Sequence, residues 1–287
     1  MSIAKIVAPV TGSKRDSIVL ATALAAARPF NAHVVALFVR PDPWMVVPYS
    51  GVPLSASLTQ SLIDEASAIA DQASKRARLA LQVEAEKNGA QVLAAPQRLS
   101  QPSCSFRETH GSLPHLVAEA ARLADLVVLG PQSETNGDGI NDAFLETLTK
   151  TDRPVMIAER APARMVCNVA IAWDGSTAAC HAVTAALPYL KRAEKIDVLT
   201  VYKSGEPRHS TKELSEYLAL HGLSCTEHHI RSDKGLVARE LMDHALQCNT
   251  DLLVMGGYGH SHLREFLFGG VTEDVRWHAS VPVVMMH

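Results

Sequence analysis

Between Asp251 and His287 the sequence reads DLLVMGGYGHSHLREFLFGGVTEDVRWHASVPVVMMH, with glycines spaced as a phosphate cradle would need them. Leu252–Met255 is an apolar run of strand length. Gly256, Gly257 and Gly259 follow it, and Gly269-Gly270-Val271-Thr272 lead into a helical segment, Glu273–His278. Glycines after a buried parallel strand let the backbone turn sharply and aim N–H groups at a ligand. Gly270 and Val271 would offer free N–H groups where that helix starts, beside the Thr272 hydroxyl, an arrangement suited to anions. The plainer alternative is that these glycines only close strand-to-helix turns.

Such a cradle has to be carried by a particular framework, and the rest of the chain spells one out. Apolar strands alternate with helical stretches: Ile3–Val10, a helix over Arg15–Arg28, His33–Val39, one long helix or two over Ser57–Asn88, then Gln91–Ala95 as a third strand. His115–Leu123 is helical, Leu126–Gly130 a fourth strand, Phe144–Lys150 a short helix and Pro154–Ala158 a fifth strand. This alternation implies parallel strands joined by crossover helices. Pro41–Pro53 is a proline-studded excursion whose Trp44 and Tyr49 are expected to pack on the sheet. Glu159–Val166 reads as a linker, after which the pattern restarts with Val169–Asp174, a helix through Leu187 and Leu190, Ile196–Tyr202, Thr211–His221, Ser224–Ile230, Leu236–Leu246 and the closing strand Val281–Met285.

The restart is a repeat with a measurable register. Gly12-Ser13 and Gly175-Ser176 stand 163 residues apart, as do Ala21-Thr22-Ala23-Leu24 and Thr184-Ala185-Ala186-Leu187. Asp125-Leu126 and Asp251-Leu252 are only 126 apart, so the first half carries 37 extra residues, mostly the excursion and the long helix. Residues 1–160 and 165–287 are therefore expected to be two α/β domains. In a doubly wound sheet of order 3-2-1-4-5, ligands bind beyond the carboxyl ends of the first and fourth strands. In the second half those ends carry Asp174 and Gly256, with Val201 ending the second strand. Asp174 suits a ribose hydroxyl, or it caps the turn at Gly175-Ser176. The first half ends its first strand in Pro9-Val10-Thr11 and follows Gly130 with Pro131 and Glu134. A proline lacks the N–H a cradle needs, and a glutamate repels phosphate.

Composition narrows the partners. The 287 residues carry a net charge of −3, which argues for neither nucleic acid nor an anionic membrane surface. No apolar run approaches the ~20 residues of a membrane span. Five cysteines, none in a CxxC pair, read as reduced thiols and suggest the cytoplasm. His228-His229 would face opposite sides of a strand, and His260 and His262 lack supporting ligands, so no metal site is expected. No general base or metal set for rapid hydrolysis is evident.

Gly256, two residues, Gly259, nine residues and Gly269, with Val271-Thr272-Glu273 and Val281-Pro282-Val283-Val284, resembles the nucleotide-binding signature of the ATP-binding universal stress proteins. The family has Ser or Thr where Gly270 stands here. The resemblance implies two tandem doubly wound parallel five-stranded sheets of the adenine-nucleotide α-hydrolase type, the first domain having lost its site. It implies ATP or another adenine nucleotide, with Mg, held by Asp174, Val201, Gly256, Tyr258, Gly259, Gly269, Gly270, Val271 and Thr272. Val201 would line the adenine slot, and Tyr258 would lie near the phosphates. It further implies an intramolecular pseudo-dimer through the two fifth strands, room for a further homodimer, and a stress-response regulator that is at most a slow ATPase. Two other readings stay open: an interaction scaffold that uses neither site, and an ATP-using hydrolase or transferase.

Overall fold

A computed structural model describes residues 2–43, 55–130, 139–159, 167–202, 210–232, 236–257 and 270–287. The strands of the first half are β1 (Lys5–Val10), β2 (His33–Arg40), β3 (Gln91–Leu93), β4 (Ser103–His110), β5 (Leu126–Leu129) and β6 (Val155–Ile157). Those of the second are β7 (Asn168–Ala172), β8 (Lys195–Tyr202), β9 (Thr226–Arg231), β10 (Leu252–Gly256) and β11 (Val283–Met286). Helices α1 (Asp16–Ala27), α2 (Ala56–Lys87), α3 (Leu113–Ala121) and α4 (Ile140–Lys150) cross over in the first half, and α5 (Thr177–Leu190), α6 (Lys212–Leu220), α7 (Val237–Gln247) and α8 (Gly270–His278) in the second.

All eleven strands form one sheet, in the order β3-β4-β2-β1-β5-β6-β11-β10-β7-β8-β9. Each half holds the expected 3-2-1-4-5 order, and within each half every pairing is parallel. The two expected sheets merge because β6 and β11 pair antiparallel, with Val284 opposite Met156. The fifth strands are apolar and short, and each would otherwise be an open edge. Antiparallel pairing of equivalent strands relates the halves by an approximate two-fold.

The third strand of the first half is not where the sequence pattern placed it. That position beside β2 belongs to β4, paired from His33↔Ser103 to Arg40↔His110, while Gln91–Leu93 is a three-residue strip outside it. The strand SCSFRETH lacks an apolar run, because its buried face is partly polar: the His33 ring is held between the Ser103 and Ser105 hydroxyls, 2.8 Å from each. The long segment forms the single helix α2, its start capped by the Ser55 hydroxyl, which accepts the Leu58 N–H at 3.3 Å.

The core has two apolar layers, one on each side of the sheet, and both run through the two halves. One layer contains Leu24, Phe38, Tyr189 and Val198; the other contains Leu129, Phe144, Leu253 and Met285. Near the two-fold, repeat-equivalent positions meet: the buried Tyr189 hydroxyl donates to the Ala26 carbonyl at 3.2 Å, and Arg192 Nε to the Pro29 carbonyl at 3.1 Å. Both pairs span 163 residues, the repeat offset. Phe30 meets the Tyr189 ring edge to face at 5.1 Å and lies under the Arg192 guanidinium. On the opposite side the buried Arg276 of α8 lies 3.9 Å above the Phe144 ring of α4 and donates to Asn141 Oδ1.

Candidate functional site

The crevice of the second half lies beyond β7 and β10, where the strand order reverses. From β7 the chain runs through Trp173 and Asp174 into Gly175 and Ser176, whose hydroxyl caps α5 by accepting the Ala179 N–H at 3.2 Å. Asp174 is exposed, and its Oδ1 accepts the Ser176 N–H at 3.0 Å. The carboxylate therefore shapes the turn, as the capping alternative expects, while remaining at the surface of the crevice. Val201 is half-buried near the end of β8.

Gly256 ends β10 directly against the start of α5. A Cβ there would come within 2.7 Å of the Ala179 nitrogen and 2.9 Å of the Ala178 carbonyl carbon. Its lack of a side chain thus has a packing cause, and it brings β10 and the Asp174 turn together on one helical turn. Gly257 donates to the Met286 carbonyl at 2.7 Å, and a Cβ on it would meet Leu148 of the first half at 2.9 Å. Helix α8 opens at Gly270, earlier than the sequence pattern placed it, so Gly270, Val271 and Thr272 form its first turn. The leading N–H groups of a helix have no intrahelical acceptor and carry the positive end of its dipole. Val271 is half-buried and Thr272 buried. Tyr258, Gly259 and Gly269, like His260 and His262, lie outside the described residues.

The matching corner of the first half is built differently. Asp16, buried in the first turn of α1, accepts the Thr11 N–H at 3.0 Å and the Gly12 N–H at 2.7 Å. Burial raises the pKa of this carboxyl, and those N–H bonds and the Thr11 hydroxyl oppose the rise. The backbone donors at the end of β1 are thus already taken by an acid of the chain itself. Helix α2 closes over the same spot. Arg76 Nε donates to the Gly12 carbonyl at 2.8 Å, and Gly12, at φ +78°, has so little room that a Cβ would lie 2.4 Å from the Ala73 carbonyl oxygen. Only glycine meets both demands. Pro131 and Glu134 lie outside the described residues.

A cluster that the sequence pattern did not single out lies on the far strands. Asp197 of β8, His228 of β9 and Cys248 bring one potential metal-ligating atom each to within 4.8 Å of one another. His228 Nε2 is 2.7 Å from Asp197 Oδ1, and His229 faces a different partner, Glu227. The Lys195 ammonium is 2.8 Å from the other Asp197 oxygen, and the Cys248 thiol is pushed up by burial and by Asp197. A cation entering this cluster would have to displace the Lys195 ammonium from Asp197 and take the proton's place on the thiol. All five cysteines are free, and no helix of the described residues is long and apolar enough to cross a membrane.

Residues 165–287 match the model of the universal stress protein family. A universal stress protein from Archaeoglobus fulgidus DSM 4304 superposes with a TM-score of 0.66 at 16% identity, covering 98% of this chain and 95% of that one. A candidate universal stress protein from Pseudomonas aeruginosa UCBPP-PA14 gives 0.56 at 16% identity, covering 99% and 93%. A functionally unknown protein from Pseudomonas aeruginosa PAO1 gives 0.56 at 15%, covering 99% and 92%. At such identities the structural likeness speaks for the fold. No curated protein matches the chain. The second half is thus similar to the universal stress protein family, and the whole chain shares its fold with solved universal stress protein structures.

Proposed function

We propose that the chain is a nucleotide-dependent regulator of the cytoplasm that holds one adenine nucleotide, ATP with Mg foremost, in the crevice of its second half. The observation that carries this reading is the start of α8 at Gly270, in the half whose glycine spacing matches the ATP-binding pattern. Asp174 would meet the ribose and Val201 the adenine. The N–H groups of Gly259, Gly269, Gly270 and Val271, with the Thr272 hydroxyl and with Tyr258 nearby, would hold the phosphates. Magnesium would neutralise phosphate charge. No group in the described crevice is placed as a general base, so hydrolysis is expected to be slow or absent.

Calorimetric titration of the full chain with ATP and Mg tests the reading. One site per chain is expected, lost in Gly259→Asp, which adds a Cβ and a negative charge beside the triphosphate. Gly270→Ser keeps the N–H and adds a hydroxyl, so affinity should hold or rise; a bond to a charged group contributes roughly 1.5–3 kcal/mol. Equal affinities in all three proteins would defeat the proposal. The scaffold reading would then take over, favoured by the packing cause found for Gly256 and the turn-shaping bond of Asp174.

A further inference from the structure

The crevice of the first half is a cavity of about 670 Å³, within the range of small-molecule pockets. Its floor is the carboxyl ends of β1 and β2, at Val10 and Phe38, and its roof is the amino-terminal half of α2, at Leu62, Ala66, Ile69 and Ala70. Gly111 after β4 and Gly139 before α4 close its far side. Asp42 and Glu65 are its ionisable groups among the described residues, and no lysine, arginine or histidine of those residues lines it. Ile69 is 59% exposed although it lines the pocket, so apolar surface is left facing water there.

From this geometry we infer that the first half binds a neutral, largely apolar small molecule between α2 and the ends of β1 and β2. The described lining is unsuited to an anion: the backbone donors at Thr11 and Gly12 already serve Asp16, and it offers the Glu65 carboxylate but no cationic side chain. Burying apolar ligand surface here would stabilise the complex by about 25 cal/mol per Å². The roof is part of a clasp and not a loose cover, since Arg76 ties α2 to Gly12 and Arg78 and Ser74 tie it to Glu108 of β4. This site is separate from the proposed nucleotide crevice, and each can fail without the other.

Fluorescence titration of the full chain with N-phenyl-naphthylamine, a neutral apolar probe, tests the inference. Saturable uptake of one equivalent is expected, unchanged by ATP. Ala70→Trp should fill the cavity and weaken uptake about tenfold or more, equivalent to ~1.4 kcal/mol. Ala66→Leu, a milder filling one turn away, should weaken it less, and thermal melts identify which variants remain folded. Leu123→Ser removes an apolar residue that is 82% exposed and outside the lining, so uptake should stay the same. Anilinonaphthalene sulfonate, of similar ring size but anionic, should bind more weakly than the neutral probe. The inference is overturned by absence of saturable uptake, by displacement with ATP, by equal uptake in wild type and the folded filled variants, or by equal binding of the sulfonate.

Discussion

The two halves share one strand order and yet finish their crevices in opposite ways. In the second half the turn after β7 is short, the corresponding crossover helix α6 has nine residues, and α8 opens at a glycine. In the first half the crossover helix α2 has 32 residues, and its amino-terminal portion lies across the ends of β1 and β2. The donors at the end of β1 are consumed by Asp16, whereas Asp174 in the second half accepts the Ser176 N–H of its own turn. The strand order is shared; the longer helix and the differently bonded carboxylate give the two crevices different linings. The chemistry of a doubly wound domain is thus set by its crossovers, with the strands supplying only the place.

The comparison rests on the two halves being one folding unit, and the largest effect should come from breaking that. Val284→Glu puts a carboxylate opposite Met156 in a fully apolar seam, at a cost of roughly 4 kcal/mol or more. Loss of the wild-type species in size-exclusion chromatography, with aggregation, is the expected outcome. A well-folded variant that elutes like the wild type would show that the seam is dispensable.

Gly12→Ala against Gly222→Ala separates the roofed corner from an open turn of the second half. Both glycines have positive φ, +78° and +75°, and each substitution carries a backbone penalty of about 1–2 kcal/mol. At Gly12 the new methyl also meets the backbone of Ala73, so its thermal midpoint should fall clearly further. Equal losses would mean that α2 does not bear on the end of β1.

A smaller effect should come from the α2 clasp. Burial pushes Glu108 up, but the hydrogen bonds from Arg40, Ser74 and Arg78 outweigh it and leave its pKa below the usual value. A depressed carboxyl stabilises the fold fully above its unfolded pKa of about 4.3, and the contribution fades as pH falls through the lower folded value. Glu108→Gln should therefore cost about 1–2 kcal/mol at neutral pH and little in strong acid. Denaturant melts across that pH range check it; a pH-independent loss would remove the clasp from the account. The smallest expected change is Tyr189→Phe, about 1 kcal/mol, because it removes one buried bond between the halves and keeps the ring against Phe30.

Much of this architecture was legible before any coordinates. The alternation of strands and helices implied the strand order seen in each half, and the apolar fifth strands predicted the seam, since short runs such as Val155–Ile157 have to find a partner. Strand β4 was not legible, because its buried face is satisfied by serine–histidine bonds that leave no hydrophobic pattern. The role of α2 was hidden for another reason: its periodicity reports an apolar face but not what lies beneath it. Nor did Asp16 stand out, since an acid in the first turn of a helix is ordinary until its distances to Thr11 and Gly12 are known. In the candidate site, Gly256 ends β10 while β7 stops at Ala172, two residues short of Asp174, and the packing of α5 on Gly256 is a contact 77 residues apart in sequence that no local pattern encodes.

Joining the fifth strands also decides how this molecule meets its own copies. Each half on its own would present a flat apolar border able to recruit another chain. In the joined sheet the outermost described strands are β3, only three residues long, and β9, which sets Glu227, His229 and Arg231 in solvent. Short and charged borders resist strand addition. Extension of the sheet by a second copy is therefore disfavoured at both described edges.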